Sequence, residues 1–115
     1  MTTPTIYQHL TDPSLLQTDS LINGKWQAAI DGQTFAVTNP YDGAIIAQVA
    51  SLSADDVRAA VTHATRAQTD WAAQTAETRA KILHQWADLI DANRDDLATI
   101  MTLEQGKPIG ESRGE

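Results

Sequence analysis

The feature that most constrains this chain is a change of apolar period at Ser53. Before it, between Leu21 and Ala50, short apolar runs are broken every few residues by Asn23-Gly24, Asp31-Gly32, Asn39-Pro40 and Gly43. These are turn-forming pairs, and Asn-Gly between apolar residues is the strongest short hairpin signal. Leu21-Ile22 and Lys25-Trp26 therefore read as the arms of one hairpin. Asp31-Gly32 reads as a second hairpin signal ahead of the alternating run Phe35 to Thr38. Asn39-Pro40 holds the chain extended before Tyr41-Asp42-Gly43 turns it, and Ile45 to Ala50 read as a further strand. After Ser53 the apolar residues recur at helical spacing.

Three amphipathic helices follow. Ser53 with Asp56 three positions later is an acidic variant of the capping box, and Asp55 and Asp56 suit the positive helix start. Val57, Ala60, Val61, Ala64, Ala67 and Trp71 make one stripe. Thr75 caps a second helix whose buried side is expected to carry Ile82, Leu83, Trp86, Leu89 and Ile90. Asn93 caps a third, with Leu97, Ile100 and Met101 inward, and Gly106 ends it in a left-handed turn that Pro108 prevents from continuing. The fold class is thus α/β: a short antiparallel β-meander followed by three amphipathic helices. Residues 1–19 are polar and weakly patterned and read as a peripheral N-terminal arm, with one helical turn started by Asp12 and Pro13.

Composition narrows the chemistry. Eight basic against fifteen acidic residues give a formal net charge of −7 over 115 residues. That balance disfavours a nucleic-acid or anionic-membrane surface, which needs clustered Lys and Arg. No apolar run approaches a membrane span and no secretion signal opens the chain, so a cytoplasmic address is the expectation. There is no cysteine, which removes disulfides, thiolate metal sites and sulfur nucleophiles from these residues. His9, His63 and His84 are too widely spread for metal-ligand spacing. Neither glycine-rich phosphate motif occurs. Trp71 and Trp86 read as packing residues, His84 as a partly exposed helix residue, and Asp88, Asp91, Asp95 and Asp96 as a solvated helical face. Lys107 complements the negative helix end beside Glu104. Physical chemistry alone finds no active site here.

Several stretches in order and spacing resemble the NAD(P)-dependent aldehyde dehydrogenases: "LINGKW", "TNPYDG" followed by "IIAQVA", "SADDVRAAVTHATRAQTDW", "ETRAKILHQWADLIDANRDDLATIMTLEQGKP" and the closing "IGESRGE". "DPSLL" and "MTLEQGKP" lean toward the succinate-semialdehyde dehydrogenase branch. The resemblance implies that residues 20–115 are the N-terminal, incomplete portion of such an enzyme, the outer part of its cofactor-binding domain. The cysteine that attacks the aldehyde, the glutamate that activates water and the grip on NAD or NADP are then expected beyond Glu115, with no cofactor bound by these residues. Glu104 lies in a different motif from that glutamate. The implied partners are the remainder of the dehydrogenase chain and, in the parent, further copies of itself. The resemblance also implies a structural monovalent cation at Val37, Thr38 and Glu104. Its remaining ligand would be absent from these residues, so a plain capping role for Glu104 is the simpler reading. The alternative to the whole account is a self-sufficient helical module that recruits another protein.

Overall fold

The computed structural model describes residues 5–115, in the order of two 3-10 turns, four strands and four helices. The 3-10 turns are Thr5–Gln8 and Pro13–Leu15. Asp12 caps the second: its side chain accepts from the Ser14 N–H, and Pro13 follows at the first helical position. Strands β1 (Ser20–Ile22) and β2 (Lys25–Gln27) pair antiparallel around Asn23 and Gly24, whose φ values of 51° and 72° belong to the two-residue turn their types favour.

Strands β3 (Thr34–Thr38) and β4 (Ile45–Ala50) form a second antiparallel pair. Their connection is the Asn39–Gly43 turn. The Asn39 side chain accepts from the Tyr41 N–H, its backbone N–H donates to the Ala44 carbonyl, and its carbonyl accepts from the Gly43 N–H. Thr38 faces Ile45 whereas Val37 faces Ala47, so Ile46 is an extra residue in β4. Such a bulge shifts the alternation of faces, which accounts for Ile46 and Ala47 being buried in succession.

The α/β class and the antiparallel strands are as expected from the sequence, but the strands pair as two separate hairpins. Asp31-Gly32 does not close a hairpin. Gly32 donates to the Ala29 carbonyl in a turn that redirects the chain between the two sheets. The sheets are stitched at one end of β4, where Ala50 N–H donates to the Thr18 carbonyl, while Ser51 N–H extends the β3–β4 pairing to the Gln33 carbonyl, both at 2.8 Å.

Helices α1 (Ala54–Ala73) and α2 (Ala76–Ala92) start where their capping residues predict. Ser53 and Asp56 form the reciprocal capping box, and the Thr75 hydroxyl accepts from the Thr78 N–H. Helix α3 (Arg94–Gln105) ends at Gly106 with φ 85°, and Pro108 opens the short helix α4 (Ile109–Ser112). The expected cap at Asn93 is not formed. Asn93 also closes α2, and its side-chain amide donates to the Leu89 carbonyl, so it is committed to the preceding helix.

The core lies where the sequence suggests a peripheral arm. Ile6, Leu10 and Leu16 are buried with Ile46 and Ala47, and Tyr7, Val37, Val49, Ile100 and Leu103 pack around them. The segment is short and polar on average, but Ile6, Leu10 and Leu16 join Ile46 and Ala47 of the bulged strand in one cluster. The long helices behave oppositely. Ile82, Leu83, Trp86, Leu89 and Ile90, expected on a buried side, are 44–63% exposed, and Val57 and Val61 are exposed as well. Trp71 is half-buried. No element among the described residues covers those stripes. The Cα radius of gyration is accordingly 16.7 Å, against about 13 Å for a compact domain of this length.

Candidate functional site

Two buried carboxylates organise the junctions between the β half and the helices. Asp56 is 5% exposed, and its Oδ2 accepts from the Ser53 N–H at 2.8 Å and the Ser53 hydroxyl at 2.9 Å. Its Oδ1 faces the Ile30 N–H at 3.4 Å, so the start of α1 is tied to the turn between the sheets. Asp96 is 7% exposed, and its two oxygens accept from the Thr11 and Asp12 N–H groups, each at 2.8 Å. That pair fastens the N-terminal segment to the first turn of α3. The Ser53 backbone and hydroxyl hold the Asp56 carboxyl below its ordinary pKa, and the Thr11 and then Asp12 N–H groups do the same for Asp96, because donors favour the charged form.

Asp96 therefore departs from the sequence expectation, which puts it on a solvated face with its neighbours. Asp91 and Asp95 do face solvent, paired with Arg94 and Arg113 respectively. The sequence carries no local signal for this: Asn93 and Asp96 repeat the three-residue spacing of Ser53 and Asp56, but no capping box forms there and Asp96 takes distant amides instead. His84 is exposed on α2, as expected.

The three cation candidates lie on two elements that the fold brings together. Val37 is half-buried and Thr38 exposed at the end of β3, beside the bulge. Glu104 is exposed in the last turn of α3. The turn after β3 and the end of α3 approach closely: a Cβ built on Gly106 would lie 2.9 Å from Cγ of Pro40. Lys107, beyond the helix end, pairs with Glu115. Among the described residues no three His, Cys, Asp or Glu side chains group as metal ligands, so a cation here would depend on backbone oxygen.

None of the three long helices starts at a glycine-rich turn. Gly24, Gly32 and Gly43 lie in turns with open space around them, and Gly106 stands at a helix C-terminus. The three long helices begin at Ser53, Thr75 and Asn93 with acidic residues in their first turns. A pyrophosphate needs glycine-rich backbone and free N–H groups at a helix start. Here the first turns carry carboxylates instead.

The family model described as the aldehyde dehydrogenase family matches residues 26–115. The chain is 46% identical over 106 residues to an NADP(+) succinate-semialdehyde dehydrogenase of Escherichia coli (strain K12), covering 92% of this chain and 22% of that protein. It is 44% identical over the same length to a 3-sulfolactaldehyde dehydrogenase of Pseudomonas putida, with the same coverage. A crystal structure of an aldehyde dehydrogenase from Brucella melitensis biovar abortus 2308 superposes with a TM-score of 0.88 at 53% identity, over 91% of this chain and 22% of the other. The chain thus spans about a fifth of the length of the relatives it matches.

Proposed function

The chain belongs to the aldehyde dehydrogenase family, and from that premise we propose that it is the N-terminal scaffold of an NAD(P)-dependent enzyme oxidising succinic semialdehyde to succinate. Its α/β arrangement matches the N-terminal part of the aldehyde dehydrogenase fold. The observation that carries the substrate is the 46% identity to a succinate-semialdehyde dehydrogenase. The 44% identity to an enzyme named for 3-sulfolactaldehyde sets the competing substrate. Both aldehydes are small and carry an anionic group.

In this reading residues 5–115 position and stabilise, while a cysteine and the nucleotide cradle come from residues outside them. The chain itself has no cysteine. The enzyme is a cytoplasmic homo-oligomer in the same proposal; among the described residues no helix is long and apolar enough to cross a membrane. The test is a pair of assays following reduced-cofactor absorbance. The purified chain alone should give no turnover with NAD or NADP. Co-expressed with the remaining segment of the Escherichia coli succinate-semialdehyde dehydrogenase, it should restore turnover of succinic semialdehyde. Restoration should be fuller than with the remaining segment of the Pseudomonas putida 3-sulfolactaldehyde dehydrogenase acting on its own aldehyde, because the scaffold fits the body of its own branch better. Turnover by the chain alone would refute the scaffold role; better complementation of the 3-sulfolactaldehyde enzyme would refute the substrate.

A structural monovalent cation at Val37, Thr38 and Glu104 is the second part of the proposal. Two observations support it. The bulge opposite Val37 and Thr38 locally disrupts the ladder there. Glu104 also carries a negative charge at the negative end of α3, an unfavourable placement that a cation would relieve. Replacing choline by potassium or sodium at constant ionic strength should slow amide exchange in β3 and β4. Glu104→Gln should abolish the difference. Equal exchange in all three salts would leave Glu104 as an ordinary helix-end residue.

A further inference from the structure

We draw no further inference here: the strongest candidate, the solvent-exposed apolar faces of helices α1 and α2 around Val61, Trp86 and Leu89, carries nothing beyond the function proposed above because nothing in the structure shows what covers it.

Discussion

Asp96→Ala is expected to release residues 5–17 from the body of the protein. The carboxylate is the acceptor for two backbone N–H groups, those of Thr11 and Asp12, more than eighty residues away in sequence. Removing it forfeits two hydrogen bonds to a charged acceptor, each stronger than the average hydrogen bond, and leaves the donors of the exposed Thr11 and Asp12 to water instead of to α3. The loss propagates, because the segment so released carries Ile6, Leu10 and Leu16, three of the five residues of the buried cluster. Amide exchange at Thr11 and Asp12 should accelerate by about tenfold or more, and exchange in β4 should follow. Asp96→Asn keeps the shape but presents one acceptor and one donor to two donors, so it should show an intermediate effect. Unchanged exchange in both variants would mean that apolar packing alone seats the segment.

The same carboxylate sets a pH dependence. Its folded pKa lies below the ordinary carboxylate value, because the Thr11 and Asp12 donors favour the charged form. The unfolded chain therefore takes up a proton first as pH falls. The contribution is fully present above the unfolded pKa, about 4, and is lost as pH drops through the lower folded value. Asp56 behaves alike through Ser53. Stability should be flat from about pH 5 to 7 on this account and fall below about 4, and Asp96→Asn should flatten that acid limb without removing it.

Gly106→Ala is expected to destabilise by about 1–3 kcal/mol. Two effects add. At φ 85° an alanine incurs the left-handed backbone penalty that glycine does not. Its Cβ would also meet Cγ of Pro40 at 2.9 Å, against a ring that cannot rotate away. Gly24→Ala separates the two, since Gly24 has φ 72° but nothing within 4 Å of the place an added methyl group would take. The excess of Gly106→Ala over Gly24→Ala, read from exchange of the β3 and β4 amides, measures how tightly the end of α3 is seated on the Asn39–Gly43 turn. No excess would show that the turn moves aside freely.

Local chemistry is legible in the sequence. Asn23-Gly24, the Asn39 turn, the Ser53–Asp56 box, the Thr75 cap and the Gly106 stop each act over a few residues, and each is found where its residue types place it. What escapes is action at a distance. Nothing in the local pattern of residues 5–17 says that Ile6, Leu10 and Leu16 will meet Ile46, or that Asp96 will take the Thr11 and Asp12 amides. Asp31-Gly32 misleads for a related reason: the turn forms, but whether its flanking strands pair depends on partners further along, and β3 takes β4 instead. The stripes of α1 and α2 are apolar, as the periodicity indicates. Their expected burial fails because burial needs a second surface, and no described residues supply one. The approach of Gly106 to Pro40, which brings the end of α3 against the turn after β3, is likewise encoded by no spacing rule.

The scaffold reading requires those stripes to be packing surfaces awaiting cover, with Trp86 and Leu89 each 63% exposed in this chain. Sedimentation velocity of the purified chain across a concentration series, with a dye that fluoresces on apolar surface, measures this. The expected result is strong dye binding and a sedimentation coefficient that rises with concentration, both reduced by Trp86→Ala together with Leu89→Ala. A dye-silent monomer at every concentration, melting in one sharp transition, would contradict it and favour a self-sufficient interaction module.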